Sequence, residues 1–254
     1  MSQVSRRPVR VVVRLVGVVL IGLLLLTFSA GRASAAPGPC SDHGDGNDPA
    51  RHYVCIIYWA YLHSPTEGEV NYWIDVLSTS SSAVVAADLI GSQEDAQLFI
   101  TFAYDQFLAR NSDPAGARYW VDRLQAGDTF ETVEAALASS DEGFAVAGGT
   151  NDAFVNYLYG NFLDRSPSAD ELAYWSYAIT ANTLSRAQVA DAFAHSTEYA
   201  QDRVTSIYHN FLERDPDPAG LAYWTNVVVA SGRRVVESQI IGSAEAYAFL
   251  STAV

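Results

Sequence analysis

The sequence predicts an all-α protein: a tandem array of four helical repeats, each of roughly 50 residues and three helices, behind a cleaved signal peptide. Three observations carry this expectation. Four Tyr-Trp pairs, Tyr72-Trp73, Tyr119-Trp120, Tyr174-Trp175 and Tyr223-Trp224, recur at spacings of 47, 55 and 49 residues. Upstream of each pair, apolar residues recur at i, i+3, i+4, i+7 and i+8, the buried stripe of an amphipathic helix. The Ala-rich segments between the turns keep this helical period and show few strand-like alternations.

The chain of 254 residues opens with Arg6, Arg7, Arg10 and Arg14 ahead of an apolar run from Leu15 to Phe28, and then Ala33-Ser34-Ala35. A basic start, an apolar stretch and small residues make an export signal, cleaved after Ala35. The competing reading is an uncleaved anchor, because about eighteen apolar residues approach the length of a membrane span. Losing residues 1–35 removes five Arg and no acid, so the formal charge goes from −14 to −19. The chain has no Lys. Such an acidic surface repels nucleic acid and anionic lipid and attracts cations, so no nucleic-acid partner is expected, and no membrane contact after cleavage. Residues 36–50, rich in Pro, Gly, Asp and Asn, form an extended leader. The only two cysteines, Cys40 and Cys55, lie beyond the cleavage site, where an oxidising compartment makes a disulfide the default and two free thiols the alternative. The bridge would pin the leader over the first helix and seal the open end of the array.

Helical repeats are placed at 51–97, 98–142, 152–200 and 201–254, with a joint at 143–151. In the first helix of each, five columns align: Val54, Ile100, Val155, Val204; Ile57, Ala103, Leu158, Ile207; Tyr58, Tyr104, Tyr159, Tyr208; Tyr61, Phe107, Phe162, Phe211; and Leu62, Leu108, Leu163, Leu212. The second helix is announced by N-caps: Asp113-Pro114 and Asp217-Pro218 place a carboxylate before a first-turn proline, while Thr66 with Glu69 and Ser168 with Glu171 offer capping boxes. The third helix carries Val85, Val133, Val189 and Val236, with Leu89, Leu137, Phe193 and Ile240 four residues on. Asp128 with Glu131 and Ser185 with Gln188 are its expected caps. It ends at a Ser-x-Glu step (Ser92/Glu94, Ser140/Glu142, Ser196/Glu198, Ser243/Glu245), where Gly91 and Gly242 suit left-handed C-caps. The junction between the second and third units, from Glu142 to Tyr159, carries seven extra residues that include Gly148-Gly149-Thr150-Asn151 and is read as a joint dividing the array two plus two.

The pattern Tyr-x-x-Phe-Leu-x-Arg, then Pro-Asp-x-x-Gly-Leu-x-Tyr-Trp and later Ser-x-Glu-Tyr, resembles the bacterial domain of unknown function 4214. The nearest copies are Tyr208 to Trp224, YHNFLERDPDPAGLAYW, and Ser185 to Tyr199, SRAQVADAFAHSTEY. The resemblance covers nearly all of 51–254. It implies small all-helical modules of secreted and cell-surface bacterial proteins, with no established chemistry of their own. The first copy departs from the pattern: it lacks the Arg found at Arg110, Arg165 and Arg214 and is one residue shorter there.

Few residues suggest chemistry. Adjacent helical side chains diverge by about 100°, so within each Tyr-Trp pair one ring can be core and the other partly covered; exposed platforms for sugar rings are the alternative. Arg110, Arg165 and Arg214 sit at a helix C-terminus, where a cation suits the dipole, and can pair with the Ser-x-Glu carboxylates. Asp42, Asp45 and Asp48 in SDHGDGND resemble a calcium loop in composition but match neither its ligand order nor its terminal bidentate Glu, which makes weak calcium binding the minority reading. The five His show no metal-ligand spacing, and no nucleophile, zinc or phosphate motif is present. No catalytic residue, resident metal or cofactor is therefore assigned. The expected role is a secreted or surface-associated, non-enzymatic interaction or structural module of the cell envelope or extracellular space, binding a protein or glycan. The alternative is a hydrolase of envelope polymers with its site in the groove at 143–151.

Overall fold

The structure, a computed structural model, describes Cys40 and residues 48–251. The export signal, Asp42, Asp45 and most of the leader lie outside the described residues. Among the described residues every regular element is a helix.

The fourteen helices follow the columns read from sequence. The long first helices are α1 (Pro49–Tyr61), α4 (Gln93–Leu108), α8 (Asn151–Leu163) and α11 (Thr197–Leu212); after each comes one with a Tyr-Trp pair, α2 (Glu67–Thr79), α5 (Pro114–Gln125), α9 (Ala169–Thr180) and α12 (Pro218–Ser231). The Val-bearing third helices are α3 (Ser82–Ile90), α6 (Phe130–Ser139), α10 (Arg186–Ala194) and α13 (Arg233–Ile241). Two short helices, α7 (Asp141–Val146) and α14 (Ala244–Leu250), start at the remaining Ser-x-Glu steps. The apolar columns form the core. Val54, Ile57, Ile100, Ala103, Val155, Leu158 and Val204 are fully buried, as are Val85, Val133, Val189 and Val236. Burying such side chains supplies about 1.5–3 kcal/mol each, whereas short helices on their own are marginal.

Local chemistry sets the helix starts. Asp113 and Asp217 accept backbone N–H bonds ahead of their prolines, and Thr66, Ser168 and Ser185 each complete a capping box. At α6 the expected box of Asp128 with Glu131 does not form: Thr129 is the N-cap, accepting from the Thr132 N–H, and Asp128 pairs with Arg123. Gly91 and Gly242 are not left-handed either, with φ −100° and −74°. They are needed for closeness, since a Cβ on Gly242 would lie 2.7 Å from the Ala83 Cα. The left-handed ends belong to Ala109, Asp164 and Glu213, immediately before the three recurring arginines.

Two departures concern the array as a whole. The glycines at 148 and 149, with φ 109° and 69°, do separate α7 from α8, yet no two-plus-two division follows. Helix α6 packs extensively on α10 and α3 on α13, and the Tyr157 hydroxyl donates to the Phe107 carbonyl at 2.8 Å. Nor is the first unit an open end. The buried Tyr53 hydroxyl donates to the carbonyls of Ser82 and Ile241, each at 3.1 Å, and its ring meets Tyr247 edge-on at 4.9 Å. Helices α1 and α3 thus receive α13 and α14 from the far end of the chain.

Candidate functional site

The start of α13 organises a buried ionic cluster. Its N-cap is Gly232, which has no side chain to satisfy the first helical N–H groups. Glu131, on α6, does this instead: Oε1 accepts from the Arg233 N–H at 3.1 Å and from Arg233 Nη1 at 3.3 Å. The Arg233 guanidinium also makes a two-pronged contact with Glu134, both bonds 2.8 Å, and reaches the Tyr199 hydroxyl. Arg234 donates to Asp95 on α4 at 2.6 Å and to Glu237 at 2.5 Å. Below them Phe99 and Phe130 stack at 3.7 Å, and Arg234 lies 4.5 Å over Phe130 and 4.7 Å over Tyr61.

Burying so many charges costs several kcal/mol per ion unless each is paired. The two-pronged Arg233–Glu134 geometry is among the strongest pairings available. Burial works against the Arg233 charge, but Glu134, Tyr199 and Glu131 outweigh it and hold its pKa up. Asp95 goes the other way. Burial raises its pKa to about 7 against the pull of Arg234, with Glu237 adding to the rise.

A cleft of about 280 Å³ opens onto this cluster between α4, α6 and the α12–α13 corner. Asp95, Glu131 and Arg234 line it together with Ile90, Leu124 and Phe130. Glu131 Oε2 and Arg234 Nε, both buried, have no hydrogen-bond partner among the described residues. Residues 143–151 do not line this cleft. Sequence reasoning took Glu131 for a local cap and missed Glu134, Asp95 and Tyr199. The available signal was Arg233-Arg234, the only adjacent arginines after the leader.

The other singled-out residues lie elsewhere. Cys40 and Cys55 are bridged, their Cα atoms 5.5 Å apart. Asp48 caps α1, accepting from Ala50 and Arg51. Among the described residues no three His, Cys, Asp or Glu group to hold a metal. Arg110, Arg165 and Arg214 pair with Glu142, Glu198 and Glu245 and lie 5.0, 4.6 and 4.8 Å over Tyr104, Tyr159 and Tyr208. In the first unit His63 takes this place, pairing with Glu94 and meeting the Tyr58 ring edge-on at 5.7 Å. The glutamate hydrogen bond raises the His63 pKa.

Each Tyr-Trp pair divides its burial. The four Trp rings pack partly buried against the core. Tyr72, Tyr119, Tyr174 and Tyr223 stay 60, 52, 62 and 59% exposed. Each meets its Trp edge-on at 4.8–5.0 Å.

The family model described as "Domain of unknown function (DUF4214)" matches twice, at residues 86–147 and 135–203. The chain carries this domain in tandem copies. No curated protein and no solved structure matches it. The two matches overlap at 135–147, the end of α6 and all of α7, so the Ser140-capped step is counted in both. The ionic cluster straddles the limit of the matched span: Asp95, Glu131, Glu134 and Tyr199 fall inside it, and Arg233, Arg234 and Glu237 fall outside.

Proposed function

We propose that the chain is a secreted, non-enzymatic interaction module of the bacterial cell envelope or extracellular space, and that it holds an envelope glycan through its tyrosines. The observation that supports this reading is the repeated exposure of Tyr72, Tyr119, Tyr174 and Tyr223, each buttressed by a partly buried Trp. A rigid aromatic ring costs little conformational entropy when it becomes a contact. Repetition then multiplies weak single-ring contacts through effective concentration. A protein partner is the competing occupant of the same rings.

The test is co-sedimentation with purified, insoluble cell-wall glycan, using the quadruple Tyr→Ala variant as control. Binding by the wild-type chain and its loss in a variant of unchanged helicity is the expected result. Equal binding by both, or capture of envelope proteins alone by cross-linking, overturns the glycan reading.

A hydrolase of envelope polymers is the second reading, favoured by Asp95, whose pKa near 7 suits a proton donor. Against it, Asp95 is engaged by Arg234 and Glu131 by the start of α13. Release of soluble glycan fragments by wild type but not by Asp95→Asn would favour the hydrolase.

A further inference from the structure

We propose that the cleft between α4, α6 and the α12–α13 corner binds a small organic cation, a primary ammonium carried on a short apolar stem. Four carboxylates, Asp95, Glu131, Glu134 and Glu237, share the cluster with Arg233 and Arg234; a third guanidinium, Arg203, joins it 5.3 Å over the Tyr199 ring. Above about pH 7, where Asp95 has released its proton, four acids against three guanidiniums leave one negative charge in excess. Buried charge of this kind calls for a counter-charge.

The position of that counter-charge is given independently by Glu131. Its side chain is 1% exposed, lines the cleft, and has one oxygen, Oε2, without a partner among the described residues. A carboxylate oxygen accepts, so the group that completes it must donate. Gly232 packs close to this oxygen, since a Cβ there would lie 2.9 Å from Oε2 and 3.0 Å from the Thr129 Cβ. The excess negative charge disfavours an anion. A bare metal ion is disfavoured because the carboxylates are splayed toward different guanidiniums and no three acids group around one point among the described residues. Ile90, Ala96, Leu124 and Val235 supply apolar wall, while Ser92 and Gln125 give the lining polar groups. At about 280 Å³ the space lies near the lower end of small-molecule sites, which suits a short alkyl stem. None of this depends on the tyrosine-glycan reading.

The probe is n-butylammonium chloride, titrated calorimetrically at about pH 8, where Asp95 is ionised and the amine still protonated, into the purified protein, with n-butanol and sodium butyrate as matched controls. One-to-one binding of butylammonium is expected, with both controls weaker by about tenfold or more. Gln125→Trp, at an exposed position lining the cleft, should weaken butylammonium by about tenfold at an unchanged melting temperature. Glu131→Gln, which keeps the Oε1 acceptor for α13, should remove the preference for butylammonium over butanol. If that variant does not fold, Gln125→Trp decides. Equal affinity for butylammonium and butanol in the wild-type chain, or butylammonium binding untouched by Gln125→Trp, overturns the site.

Discussion

At position 232 the backbone takes φ 82° and ψ 159°, a conformation that essentially only glycine adopts. The missing side chain matters a second time, because a Cβ would lie 2.9 Å from Glu131 Oε2 and 3.0 Å from the Thr129 Cβ. Gly232→Ala should therefore cost about 1–3 kcal/mol in backbone strain and further in crowding. Gly127→Ala separates the two effects, since Gly127 also has a positive φ but nothing within 4 Å of its Cβ position. Thermal melts should rank Gly232→Ala well below Gly127→Ala, and equal losses would dismiss the crowding. Removing the carboxylate itself is more severe. Glu131→Ala leaves the start of α13 uncapped and the Arg233 charge short of a partner, a change of about 3–5 kcal/mol for broken buried pairs. Neither residue's part was legible in the sequence. A capping box is a local signal spanning three residues, whereas Glu131 acts on a helix start 102 positions away.

The helices themselves were largely legible, because periodicity and caps are local. Thr66, Ser168, Ser185, Asp113 and Asp217 all cap where their spacing places them. The shortened first unit also has a physical explanation. Helices α4, α8 and α11 end in a left-handed residue that turns the following Arg toward its glutamate, while α1 ends at an extended Leu62. With that residue absent, His63 directly follows the Leu62 cap and takes the Arg position. What the sequence could not show was how third helices pair, since Val85, Val133, Val189 and Val236 are equally buried whichever helix covers them. The pairing of α6 with α10 and α3 with α13 decides what a cut at Gly148-Gly149 does. Limited proteolysis should nick between Val146 and Asn151, the interval without helix. The two pieces should then stay together in gel filtration, because α6–α10 and α3–α13 both join residues on opposite sides of the cut. Separate elution of the two pieces would mean that these contacts are weaker than the packing indicates.

On the scale of the whole molecule, the first and last helical units meet at Tyr53, and the ionic cluster ties α13 to α4 and α6. Stability thus depends on a proton. In the unfolded chain Asp95 titrates near the ordinary value of about 3.9, but in the folded chain burial pushes it up to about 7. Between those values the folded protein holds a proton that the unfolded chain has released, so stability falls as pH rises and levels off above about 7. At about 1.4 kcal/mol for each pH unit separating the two values, the full effect reaches about 4 kcal/mol. His63, its pKa raised by Glu94, acts in the same direction: its ion pair stabilises below the unfolded value of about 6.5 and is lost as pH rises through the folded one. The surface carboxylates Glu142, Glu171 and Glu198, lowered by their arginines, act oppositely. Their contribution is present above about 4.5 and fades as pH falls through their depressed values. The melting temperature should therefore peak in mildly acidic buffer and decline toward neutrality. Asp95→Asn isolates the cause, since an amide can accept from Arg234 and carries no proton to lose. Its melting temperature should vary much less than wild type between about pH 4 and 7, with the His63 contribution remaining. A variant that keeps the full wild-type slope would assign the dependence to groups other than Asp95.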